Sequence, residues 1–197
     1  MKKTVLTFLA VALALAEALL VLVSWLLSAT MTEGVRSLLS AEGIRWFAAH
    51  FARLQLTPLL SWLLLAAMAW GCVRSSRLVH GMLRPTGYRQ RLALRVAAIS
   101  ILSYCGVVAL LVAVPHAVLL SATGRLWPSP FSAALIPLLC FGTILASVAY
   151  GLVCRSFRSV ADICQSFVDG LASSAPLLFV YVLLVQFYVS LRYVFLF

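Results

Sequence analysis

Five apolar blocks, each long enough to cross a bilayer, occupy most of this 197-residue chain, and that pattern restricts its fold more than any motif does. A backbone amide or carbonyl left unpaired in hydrocarbon is costly, so blocks of this length are stable there only as helices, whose hydrogen bonds are internal. Barrel strands would be shorter and would alternate in polarity. The blocks predict an all-α integral membrane protein with spans at about 4–29, 57–73, 96–122, 131–153 and 175–197, forming one transmembrane domain. A hydrophobic fraction of 64%, a charged fraction of 10% and a mean hydropathy of +1.09 exclude an ordinary soluble domain.

Lys2 and Lys3 before an apolar run, with Ala14-Leu15-Ala16 further on, look like a secretory signal. Apolar character resumes after Glu17 and continues to Leu27. That length predicts an uncleaved first span.

Positive charge sits mostly in alternate linkers. Lys2 and Lys3 precede the first span, the linker after the second carries Arg74, Arg77, Arg84, Arg89, Arg91 and Arg95, and the linker after the third carries Arg125. Arg155 and Arg158 follow the fourth span. The positive-inside rule then places the amino terminus in the cytoplasm and the carboxyl terminus in the periplasm of a bacterial-type inner membrane. Arg36, Arg45 and Arg53, partly balanced by Glu33 and Glu42, depart from the rule in the first external segment. Net charge +10 and a pI near 10.1 follow from basic membrane edges without any nucleic-acid partner. The arginines from Arg74 to Arg95 serve topology, or hold anionic lipid headgroups at about 1 kcal/mol each.

Two linkers are amphipathic. In the external one, about 38–55, Leu39, Ile44, Phe47, Phe51 and Leu54 recur at helical spacing while Glu42, Arg45, His50 and Arg53 take other faces, as in a helix lying in the membrane interface. Trp46 suits the headgroup level. In the internal one, about 160–171, Ser159 and Asp162 form a capping box before an apolar stripe of Val160, Ile163, Cys164, Phe167, Val168 and Leu171. Thr57-Pro58-Leu59-Leu60 and Ala175-Pro176-Leu177-Leu178 each open the span that follows. Proline starts helices well wherever it falls. Span, surface helix, span, occurring once outside and once inside, is also what an inverted-topology repeat leaves behind.

The run from Arg36 to Phe47, followed by an apolar span opening with Thr57-Pro58-Leu59, resembles the early periplasmic segment of the AbgT family of p-aminobenzoyl-glutamate transporters. The closing part, from Arg158 to Asp162 and on to Val185-Gln186-Phe187, is similar to the family's closing segment, and the stretch from Arg77 to Arg95 aligns loosely with the region after the family's second helix. The resemblance implies a homodimeric, proton- or ion-driven exporter of p-aminobenzoyl-glutamate, related folate-pathway compounds or sulfonamide-like drugs. Family members are more than twice this length and hold substrate with re-entrant hairpins, of which this chain has no recognisable copy. No substrate-binding residue carries over.

Chemistry inside the spans rests on few residues. Glu17 lies near the middle of the first, where an ionised carboxylate costs a few kcal/mol, so it faces protein or water or stays protonated. It is either part of a proton or cation path, with His116 or Arg192 as partner, or a packing bond. His116 follows Pro115, whose missing N–H frees a carbonyl, and it either senses pH or satisfies a kink. Gln186 offers an amide for an interhelical bond or a polar ligand. Pro137 is a second kink candidate, and Gly142, Ser147 and Gly151 provide small surfaces for close packing.

The five cysteines, Cys72, Cys105, Cys140, Cys154 and Cys164, show no CxxC pair and no metal-ligand spacing. Nucleotide-binding loops and paired catalytic carboxylates are missing from the sequence too. These observations point to a nonenzyme with no cofactor and no metal, partnered by the bilayer and by a second copy or another membrane protein. Two functions stay open: secondary transport of a small aromatic or folate-related anion, and a non-transporting scaffold or accessory subunit.

Overall fold

The computed structural model describes residues 2–30, 35–55, 57–83, 87–113 and 130–195. Their regular structure is helical: α1 (Lys2–Ala29), α2 (Ala41–Gln55), α3 (Pro58–Ser76), α4 (Leu78–Leu83), α5 (Tyr88–Ala113), α6 (Pro130–Val153) and α7 (Val160–Phe195). Five of them, α1, α3, α5, α6 and α7, are long and apolar enough to cross a membrane. The all-α membrane fold read from the apolar blocks is the fold found.

Several boundaries differ from the sequence reading. The internal surface helix at 160–171 and the final span at 175–197 are one uninterrupted helix, α7, with Pro176 inside it. Proline denies a donor only to the carbonyl four residues back, that of Ala172, and Val160 to Ala175 are otherwise compatible with helix, so one missing bond does not end it. The matching Pro58 opens α3, a helix separate from α2, which ends at Gln55, so the two proline-started motifs differ in structure. The third span begins at Tyr88, which brings Arg89, Arg91 and Arg95 onto its first turns. Arginine, leucine and alanine are good helix formers, and a helix need not stop where the hydrocarbon does. The linker before it contains the short helix α4.

The capping box at α7 is present in full. Ser159 Oγ accepts from the Asp162 amide at 3.3 Å, and Asp162 Oδ2 accepts from the Ser159 amide at 3.0 Å and the Arg158 amide at 2.8 Å, which satisfies three otherwise orphaned donors.

The chain divides into two compact units, Met1–Ser61 with Ser174–Phe197, and Trp62–Ser173. In the first unit, α1 and the carboxyl-terminal part of α7 run parallel: Leu6 and Ala10 share a cavity wall with Pro176, Phe179 and Leu183, and Leu20 packs near Val194. Leu20, Leu38 and Val194 form its buried apolar cluster, joined by Trp46, Phe187 and Tyr193. The Arg36 amide donates to the Val194 carbonyl at 3.0 Å. Trp46 stacks on Tyr193 at 4.2 Å, and Gln55 Nε2 donates to the Val182 carbonyl at 3.3 Å. Tyr193 and Val182 lie roughly 16 Å apart along a helix, so α2 leans down the final span instead of lying flat at its end. Trp46 is accordingly a packing residue against Tyr193, with the Arg36 guanidinium 6.0 Å from the other aromatic ring. Ile44, Phe47 and Phe51 stay exposed, a stripe suited to lipid.

In the second unit, α5 and α6 form an antiparallel pair. Ala93, Ala97 and Tyr150 are its buried cluster, with Leu78, Leu94 and Val153 around them. Tyr104 donates its hydroxyl to the Leu138 carbonyl at 3.0 Å and lays its ring over Gly142, where a Cβ would stand 3.1 Å from a ring carbon. Gly151 faces Phe157 in the turn just after α6, so its smallness accommodates a local turn. The start of α7 crosses α3 at Gly71 and Gly170, where a Cβ on Gly71 would come within 2.6 Å of the Gly170 Cα. Beside them Cys72 Sγ lies 3.2 Å from Ser166 Oγ.

Candidate functional site

Glu17 projects from the middle of α1 and meets α7 in the first unit. Its Oε1 accepts a hydrogen bond from Ser190 Oγ at 2.6 Å. Ser190 Oγ in turn accepts from Gln186 Nε2 at 3.1 Å. Gln186 and Ser190 are four residues apart and so share one face of α7. Ser190 is fully buried, Gln186 is 8% exposed, and Glu17 is half-buried. One hydroxyl, donating to the carboxyl and accepting from the amide, therefore joins two of the residues that stand out in the sequence.

The cluster has acceptor capacity to spare. Glu17 Oε2 and Gln186 Oε1 are both buried and have no hydrogen-bond partner among the described residues. A buried acceptor without a donor costs about 1–3 kcal/mol, so these two oxygens favour a group that brings them a hydrogen-bond donor. Further along the same unit, Gln55 Oε1 is likewise buried and unpaired, and Thr57 and Tyr181 bond through their hydroxyls. Ser24, fully buried on α1, accepts from the Leu38 amide at 3.3 Å.

Of the residues singled out in the sequence, Glu17 and Gln186 come together, and His116 lies outside the described residues. Arg84 lies outside them as well. Arg74 is in the last turn of α3, Arg77 follows that helix, and Arg89, Arg91 and Arg95 line the first turns of α5, all exposed. Ser190 is the residue that sequence reading missed. Its signal is the four-residue spacing from Gln186, but serine is common in membrane helices and that spacing alone is not distinctive.

Five long apolar helices, two of them joined in the first unit through Glu17, Ser190 and Gln186, define a multi-pass α-helical membrane protein. A sequence profile of the AbgT transporter family matches residues 83–194, more than half of the chain, and the chain belongs to that family. No curated protein and no solved structure gives a significant match. The matched stretch contains the closing segment from Arg158 to Asp162 and Val185 to Phe187, but not the external run from Arg36 to Phe47 that carries the stronger visible likeness. Within the cluster, Gln186 and Ser190 fall inside the match and Glu17 falls outside it.

Proposed function

We propose that this chain is a proton-coupled secondary transporter of the AbgT type, exporting p-aminobenzoyl-glutamate or a related folate-pathway or sulfonamide-like anion, with Glu17 as the group that takes up and releases the proton. The observation that carries this reading is the Glu17–Ser190–Gln186 chain, which holds in a span a carboxyl whose own Oε2 and whose neighbour Gln186 Oε1 are both buried and unpaired among the described residues. An acidic residue so placed is expensive unless it is used or neutralised. Transport proceeds in a homodimer, which supplies a second copy of every span. The amino terminus faces the cytoplasm of a bacterial-type inner membrane and the carboxyl terminus the periplasm. That orientation is supported by the arginine distribution and by the parallel course of α1 and the end of α7, which puts the ends of these two helices on opposite sides.

The test is flux of p-aminobenzoyl-glutamate in proteoliposomes holding this protein alone, under an imposed proton gradient, with Glu17→Gln alongside. Saturable flux that follows the gradient and is lost in Glu17→Gln upholds the reading. The rival, a non-transporting scaffold or accessory subunit, draws on the same geometry, because Ser190 also ties α1 to α7. Absence of flux in the wild-type chain, with Glu17→Gln still capturing the same membrane partner, decides for the scaffold.

A further inference from the structure

At the membrane edge of the second unit, a cavity of about 460 Å³ is lined by Gly71, Arg74, Ser75, Arg77, Asp169 and Ser173. Its existence follows from the Gly71 and Gly170 crossing. With no side chain on either residue, the backbones of α3 and α7 come together, and the next residues along each helix, Arg74 and Ser75 on one and Asp169 and Ser173 on the other, become opposite walls of one cleft. Arg74 ends a span, and α7, about 54 Å long, exceeds the roughly 30 Å of hydrocarbon, so both walls can reach headgroup level.

The walls differ in chemistry. The α3 wall offers donors: the Arg74 and Arg77 guanidinium groups have no hydrogen-bond or ion-pair partner among the described residues, and Ser75 has a hydroxyl to give. Arg77 is held in the left-handed region at φ 57°, and its amide bonds back to the Arg74 carbonyl at 3.3 Å, so the two arginines share one tight turn. The α7 wall offers acceptors. Gln165 Nε2 occupies only Oδ1 of Asp169, at 3.0 Å, and Ser173 spends its proton on the Gly170 carbonyl at 2.9 Å, leaving lone pairs outward. Two cations facing a carboxylate across a cleft do not suit a simple anion, which Asp169 would repel. They suit a zwitterion.

We propose that this cleft binds a phosphate that carries a primary ammonium, the chemistry of a phosphoethanolamine headgroup: Arg74, Arg77 and Ser75 hold the phosphate oxygens, and Asp169 and Ser173 accept from the ammonium. Guanidinium groups match phosphate geometry. A quaternary ammonium has no hydrogen to donate, and a glycerol headgroup has no positive charge, so the site discriminates among headgroups.

The experiment titrates the purified full chain in detergent with dihexanoyl phosphatidylethanolamine, phosphatidylcholine and phosphatidylglycerol, reading dissociation constants. The expected result is binding of the ethanolamine lipid about tenfold tighter than either other. Asp169→Asn brings it down to the choline level, Asp169→Glu restores the preference, and Arg74→Gln combined with Arg77→Gln weakens all three lipids. Unchanged melting of each variant without lipid shows that folding is intact. Equal affinity for the three lipids, tighter binding of phosphatidylglycerol, or a preference surviving in Asp169→Asn overturns the proposal. Free phosphoethanolamine identifies the source: competition at its own low concentration marks a soluble ligand, and failure to compete marks the lipid.

Discussion

The two units join their helices by opposite means. In the unit holding both ends of the chain, α1 and α7 are bridged by buried polar side chains, Glu17, Ser190 and Gln186, with Ser24, Gln55 and Tyr181 making further bonds there. In the unit Trp62–Ser173, α3 and α7 meet through absent side chains, with Gly71 against Gly170 and the thiol of Cys72 as the polar contact beside them. Lipid tails are as apolar as leucine, so burial of apolar surface contributes little to helix association in a membrane, and hydrogen bonds or close packing must do it. The two solutions respond differently to chemistry. A hydrogen-bonded bridge is weakened by removing one partner, a glycine crossing by adding volume.

Substitutions sharpen that contrast, and the largest effect is expected at the crossing. Gly71→Leu forces a side chain into the space of the Ser166 carbonyl and the Gly170 Cα, and overpacking of this kind costs about 3 kcal/mol, read by denaturant unfolding in micelles; a loss under 1 kcal/mol would mean the helices separate easily there. Next comes Ser190→Ala, which strips the bridge from both Glu17 and Gln186 and leaves buried groups unpaired. A cost of about 2 kcal/mol is expected in the same assay. The double variant Ser190→Ala with Glu17→Leu should recover part of that cost, since removing both partners is milder than removing one. Gly71→Leu has no such rescue by a polar change.

Smaller effects test the details. Cys72→Ala removes a single interhelical contact and should cost about 0.6 kcal/mol, the usual size for such bonds in a membrane. Arg155→Gly should act in the other direction. Arg155 sits at φ 59°, with the Ser156 amide bonded to the Gly151 carbonyl at 2.8 Å and its own amide to the Leu152 carbonyl at 3.2 Å, the Schellman arrangement that favours glycine. Relief of the left-handed strain should add about 1 kcal/mol of stability, and no gain would show that the arginine side chain offsets the strain through contacts of its own.

Some of the site was legible beforehand and some was not. Glu17 and Gln186 announce themselves, because a carboxyl or an amide inside an apolar run has no ordinary place in lipid. Ser190 does not, because a hydroxyl is cheap to bury in a helix. The cleft at Arg74 was half legible: its arginines read as topology signals, but their place in one cavity with Asp169 depends on a crossing of glycines nearly a hundred residues apart in sequence. The continuity of α7 was hidden for a local reason. Ala175 and Pro176 read as the start of a new span, whereas a helix already formed on both sides loses only one hydrogen bond there.

The sequence by itself determined that this chain is an all-α membrane protein with five helices long and apolar enough to span, because the cost of exposing backbone to hydrocarbon is a property of each segment alone. Tertiary structure decided which polar groups meet. That choice belongs to pairs of helices, whose register is set by small residues and hydrogen bonds scattered along the chain, and no single segment carries it.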